Sequence, residues 1–173
     1  MKKVTLILAA IVMIASANTT NAQSTPVGTS SPTSVSTKIV TALTLTETHA
    51  MHFGTMARPT SNSVVLLTPA GTRSVESGAV ELLTQAPFAS VAAYDVTGDN
   101  DASYVINLPL FVNLTSGANS MWVNQFTSSK ALNASNLSSN GLDAFTVGAS
   151  LNMSSGQPAG LYTGTFDVTV NYN

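Results

Sequence analysis

Large apolar and polar side chains alternate most regularly at the C-terminal end of the chain, from Gly160 to Asn173. Tyr162, Phe166, Val168, Val170 and Tyr172 share one parity, with Gly164 the single gap, and Thr163, Thr165, Asp167, Thr169 and Asn171 share the other. A side-chain period of two belongs to a strand with one buried and one wet face. The segment is therefore predicted to be a half-buried terminal β-strand.

Shorter runs of the same texture precede it. Ile39, Thr41, Leu43 and Leu45 alternate, and Met51 and Phe53 follow ahead of Gly54. Val64 to Leu67 and Ala79 to Leu83 are compact apolar runs, with Gly71 and Gly78 marking turns. Phe88, Ala92, Tyr94 and Val96 alternate up to Gly98-Asp99-Asn100-Asp101, and Tyr104, Ile106 and Leu108 alternate after it, which predicts a hairpin. Val112 and Leu114 precede a turn at Thr115 to Asn119, and Met121 to Phe126 resume the pattern beyond it. Phe145, Val147, Ala149, Leu151 and Met153 then lead to the turn Ser154 to Pro158. No helix-length window after the N-terminal leader keeps a period of 3.6. The fold class that follows is all-β, an antiparallel immunoglobulin-like β-sandwich, with a closed barrel as the alternative.

The N-terminus changes the picture of where this domain works. Met1-Lys2-Lys3, the apolar run Val4 to Ala17 and the polar Asn18 to Gln23 have the layout of a secretory signal peptide over residues 1–22. Thr20 and Ala22 supply the small residues before a cut at Gln23, and a cut after Ala17 is the runner-up. The apolar run is shorter than the roughly 20 residues that span a bilayer. The expectation is a secreted protein, passing through the periplasm to the cell surface or beyond, with no membrane insertion after signal removal. Residues 23–37, rich in Ser, Thr and Pro, have only Val27 and Val35 to bury and are predicted to be a flexible leader. The β-sandwich domain is assigned to residues 38–173.

Charge is sparse. Charged residues make up 8% of the chain, against about 25% in typical soluble domains. After signal removal Lys38, Arg58, Arg73 and Lys130 face eight acids, too few and too scattered for nucleic acid or an anionic membrane. The wet surface is then mostly Ser, Thr and Asn, which suits a protein outside the cell packed against copies of itself. There is no cysteine, so the fold relies on its core without disulfides.

Candidate chemistry is thin. His49 and His52 are spaced for a metal only on a helix, and the surrounding pattern is strand or turn. Asp95, Asp99, Asn100 and Asp101 gather oxygen ligands without the EF-hand spacing, and are read as a hairpin turn. No nucleophile elbow or catalytic cysteine is present. No enzyme activity, metal or cofactor is expected. Matches to the N-glycosylation pattern at Asn113, Asn133, Asn136 and Asn152 are assigned no role. Trp122 with Tyr94 or Tyr104 is a candidate aromatic platform for sugars, with a place in the core or at an interface the preferred reading for the tryptophan.

The terminal segment also resembles the subunits of chaperone-usher pili and the related spore-coat-protein-U-like secreted domains. Gly160 is the fourteenth residue from the end and Tyr172 the penultimate one, with Tyr162, Phe166, Val168 and Val170 at the alternating apolar positions between them. Met51-His52-Phe53-Gly54-Thr55 is similar to an early Phe-Gly element of such domains. The layout also resembles small secreted bacterial proteins known only as a domain of unknown function. The resemblance implies a sandwich lacking one strand, an apolar groove beside the terminal strand, and assembly by addition of a strand from another subunit. The partners it implies are further copies of the chain, a periplasmic chaperone and an outer-membrane assembly protein. Val35, Ile39, Leu43 and Leu45 share a parity and are either donor residues or the domain's own first strand. Function is thus expected to be that of a non-enzymatic subunit of an extracellular fibre or coat, with a monomeric secreted binding module or adhesin as the alternative.

Overall fold

A computed structural model describes residues 28–173. The signal-peptide reading of residues 1–22 and the first part of the leader lie outside the described residues. Residues 28–37 contain neither strand nor helix and are exposed throughout. Residues 38–173 form one compact unit, all-β among the described residues.

Twelve strands build it: β1 (Thr44–His49), β2 (His52–Phe53), β3 (Ser63–Leu67), β4 (Arg73–Ser77), β5 (Ala89–Ser90) and β6 (Ala92–Thr97). The second half carries β7 (Ser103–Asn107), β8 (Phe111–Ser116), β9 (Asn119–Ser128), β10 (Ser135–Asn136), β11 (Leu142–Met153) and β12 (Thr169–Tyr172). The large sheet runs β1-β6-β11-β3-β4, with the β8–β9 hairpin attached to β11 through β9. A second sheet runs β10-β7-β12, and β2 pairs with β5. Every pairing is antiparallel.

The long strand β11 organises the large sheet. Leu142 to Val147 pair with β6, Ala149 to Met153 pair with β3, and β9 lies along Val147 to Asn152. Its residues from Val147 to Leu151 are all buried. Gly148 is demanded there, since a Cβ would sit 2.2 Å from the Leu67 carbonyl oxygen.

Two hydrophobic clusters make the core. One joins Phe53, Val65, Leu67, Met121, Val123, Ala149, Leu151 and Met153. The other joins Ala92, Tyr94, Val96, Tyr104, Ile106, Leu137, Phe145 and Val147, with Tyr94 stacked on Phe145 at 5.3 Å between ring centroids.

The hairpin expected across Gly98 to Asp101 does not form. β6 pairs with β1 and β11, whereas β7 pairs with β10 and β12, so the chain changes sheet at this turn. The physical reason lies in the same alternation: Ala92, Tyr94 and Val96 meet Tyr104 and Ile106 across the second core cluster, face to face. A period of two marks the inward face and leaves the hydrogen-bonded neighbour open.

The first strand also begins later than the alternation suggests. Ile39 is 91% exposed, and ladder pairing to β6 starts at Thr44. Ala79 to Leu83 forms no ladder strand and touches the sheet system through a bridge between Met56 and Leu82. β4 was not anticipated; its one apolar residue, Val75, pairs with the buried Val65 and is itself 38% exposed in an otherwise polar run.

Candidate functional site: an apolar groove beside the terminal segment

The terminal segment keeps its parity without being one continuous ladder strand. Tyr162, Phe166, Val168, Val170 and Tyr172 are half-buried, and Thr163, Thr165, Asp167, Thr169 and Asn171 are exposed. Thr163 bridges Thr115 of β8, and Thr169 to Tyr172 pair with β7. Gly164 to Val168, between these anchors, make no backbone hydrogen bond among the described residues. Gly164 passes so close to β8 that a Cβ would lie 2.5 Å from the Asn113 carbonyl oxygen, which accounts for the gap in the apolar parity. At Gly160 the nearest atom is the rotatable Ser116 hydroxyl oxygen, a softer constraint.

Beside this segment opens a groove of about 530 Å³. Its walls are residues 50–59 and 157–166, and its floor includes Met121, Val123, Leu151 and Met153 of the first core cluster. The first wall is paired on its far side: Phe53 with Ala89, the Thr55 amide with the Pro87 carbonyl at 3.0 Å, the Ala57 amide with the Glu81 carbonyl at 2.8 Å. No backbone hydrogen bond joins one wall to the other along the groove. A sandwich interrupted in this way leaves core side chains as the floor of a groove that runs beside unpaired backbone.

One end of the groove is closed. The Arg58 guanidinium donates to the Gly156 carbonyl at 3.0 and 2.6 Å, and the Gly156 amide donates to the Pro59 carbonyl at 2.9 Å. Next to this clamp the buried Gln157 donates to the Ser120 carbonyl at 3.0 Å and to the Tyr162 hydroxyl at 2.9 Å, and Tyr162 donates onward to the Pro158 carbonyl at 2.8 Å. Arg73 stiffens the first wall from behind by donating to the carbonyls of Phe53, Thr55 and Leu83 at 2.8, 3.0 and 2.8 Å.

Of the residues singled out in sequence, Gly160, Tyr162 and Phe166 border the groove, and so do Met51, His52, Phe53, Gly54 and Thr55 of the early Phe-Gly element. Phe166 packs on Phe126, with ring centroids 4.9 Å apart. Val168, Val170 and Tyr172 pack instead on the second core cluster, as do Leu43 and Leu45. Those two leucines serve the domain's own core, whereas Val35 is 94% exposed. The Tyr172 hydroxyl accepts from the Asp99 amide at 2.7 Å and donates to the Thr41 carbonyl at 2.6 Å, tying the C-terminus to the start of the domain.

The other candidates are dispersed. Tyr94 and Tyr104 are buried while Trp122 is 48% exposed on β9, so the three do not form an aromatic platform. His49 and His52 are exposed at strand ends, and among the described residues no group of three His, Cys, Asp or Glu side chains is placed to hold a metal ion. Asp99 pairs with Lys38, and the Asp101 amide donates to the Ser138 carbonyl at 3.0 Å, so this acidic turn is engaged in tertiary contacts. Burial, with Glu47 nearby, pushes the Tyr94 hydroxyl up to about 12, and burial and the Asp143 hydrogen bond push Tyr104 up as well. Both lie in the second core, away from the groove. Sequence reasoning missed Arg58, Arg73 and Gln157. The one signal for the arginines was their rarity, since a cation kept in so neutral a chain is spent on a specific contact.

The description of a domain of unknown function, DUF4402, matches residues 43–172. The chain belongs to that family. No curated protein and no solved structure matches it. The DUF4402 match covers the sandwich from Leu43 to Tyr172, and so takes in both walls of the groove.

Proposed function

We propose that this DUF4402 chain is a non-enzymatic structural subunit of an extracellular fibre or coat, and that its groove accepts an extended strand from a neighbouring copy. The observation that carries the reading is the groove itself. Core residues form its floor, backbone without hydrogen-bond partners runs along Gly164 to Val168, and one end is closed by the Arg58–Gly156 clamp. An incoming strand pairs its backbone with such an edge and sends alternate side chains into the floor. Each apolar side chain so buried contributes about 1.5 to 3 kcal/mol.

The donor segment in this reading is the leader around Val35 and Ile39. Both are exposed, share a parity and stand in a run of Ser and Thr otherwise short of anything to bury. Export through the periplasm, protection of the groove by a chaperone and delivery by an outer-membrane assembly protein complete the proposal. They follow from the signal-like N-terminus and the pilin-like terminal residues.

The test compares the wild-type chain with the full-length double variant Val35→Asp, Ile39→Asp in cells, measuring secreted yield and fibre yield by electron microscopy and gel filtration. Wild type is expected to give high-mass fibres and the variant a normally secreted monomer. Fibres of equal yield from both would remove the leader as donor, and a wild type that stays monomeric at the cell surface would remove the fibre reading.

A further inference from the structure

Phe126 lines both the groove and a second cavity of about 550 Å³. This cleft lies between the turn after β7, the middle of β9 and the loop before β10, and no residue lining it carries a charge. Four amide-bearing residues line it, Asn107, Asn124, Gln125 and Asn133, together with Leu110, 88% exposed, and Leu132.

The amides are only partly spent within the protein. The Asn124 carbonyl oxygen accepts from Asn152 at 2.8 Å, and the Gln125 carbonyl oxygen accepts from the Ser150 hydroxyl at 3.1 Å. Both amino groups remain without a protein acceptor among the described residues, and the side chains of Asn107 and Asn133 make no hydrogen bond there. Gln125 holds a φ of 52° at the point where the β9–β11 register shifts. Non-glycine residues seldom hold this left-handed conformation, and those that do gather at functional sites.

These features select the ligand chemistry. The volume falls within the range of small-molecule sites, about 300 to 1,000 Å³. An anion would need a cation that the cleft lacks, and a purely apolar ligand would leave four amides unused. A neutral polyhydroxylated ligand uses both parts: hydroxyls pair with amide donors and acceptors, and the carbon face of a sugar ring lies on the leucines. We infer that the cleft is a binding site for an uncharged saccharide. The inference is independent of strand addition, since among the described residues Phe126 alone lines both groove and cleft.

The test is NMR titration of the full secreted chain with cellobiose, mannobiose and N-acetyllactosamine, and with sialyllactose as the acidic comparison. Shift changes are expected at Asn107, Asn124, Gln125 and Asn133 with at least one neutral sugar. Asn107→Ala and Asn133→Ala, both at exposed positions, are expected to weaken that binding about tenfold each, the loss of roughly one good hydrogen bond, while leaving the thermal midpoint in place. Unchanged binding by the two variants, binding of the acidic sugar alone, or no response to any of the neutral sugars would overturn the assignment. So would shifts at the same residues that grow with protein concentration in the absence of sugar, which would make the cleft a contact between copies.

Discussion

Asp143 holds three donors at once. Tyr104 donates to it at 2.9 Å, Lys130 at 2.8 Å and the Ala144 amide at 2.8 Å, on a side chain left only 11% exposed. Burial alone would push this carboxyl up. The Lys130, Ala144 and Tyr104 hydrogen bonds together outweigh it and hold the group below its ordinary 3.8. A carboxyl depressed in the folded state stabilises the fold above its unfolded value, and that contribution is lost as pH falls through the lower folded value. The Lys130 hydrogen bond is the largest of the three lowering contacts, and because Lys130 is 43% exposed, solvent screening reduces what it adds to stability. Asp143→Asn is therefore expected to cost about 1 to 2 kcal/mol at pH 7 and little at pH 2, in denaturant melts at the two pH values. An equal loss at both would mean that shape, rather than charge, is what Asp143 supplies.

At the scale of the element, the terminal segment is decided by two anchors with an unpaired stretch between them. Phe166 sits in that stretch, half-buried against Phe126, and Thr165 beside it faces water. Phe166→Asp would put a carboxylate on the apolar side, where an unpaired charge costs several kcal/mol, and is expected to abolish the yield of folded protein. Thr165→Asp is expected to shift the thermal midpoint by only a few degrees, and similar losses from the two would contradict a one-faced segment. The facing of this segment was legible in the alternation of Tyr162, Phe166, Val168, Val170 and Tyr172, because burial follows the pleat. Its interruption was not, because the detour is imposed by the Asn113 carbonyl beside Gly164, a tertiary contact. The same limit explains the lost hairpin: Tyr94 and Tyr104 announce an inward face, and nothing local says that the two faces meet across the core. Arg58 and Gln157 were equally opaque, since their acceptors are backbone carbonyls far away in the chain or hidden in a turn.

Across the whole molecule, neutrality is the property that sets how copies can meet. The groove is bordered by a single cation, Arg58, already engaged with Gly156, and no acid lines it. Two ion pairs are formed among the described residues, Lys38–Asp99 and Lys130–Asp143, and neither lies at the groove. Association through the groove, as proposed, would therefore be driven by apolar burial and backbone pairing, which a Debye length shortened from about 10 Å to about 3 Å at 1 M salt leaves almost untouched. Salt acts differently on contacts made through charge, which weaken as screening grows. Fibres of the wild-type chain are expected to keep their yield and their resistance to dilution between about 0.1 M and 1 M sodium chloride, measured by sedimentation of sheared material. Apolar burial also strengthens slightly as ions are excluded from the surface, so any drift should favour the fibre. Dissociation at high salt would locate the joint at the charged turn around Lys38 and Asp99, and the groove would then need a different occupant.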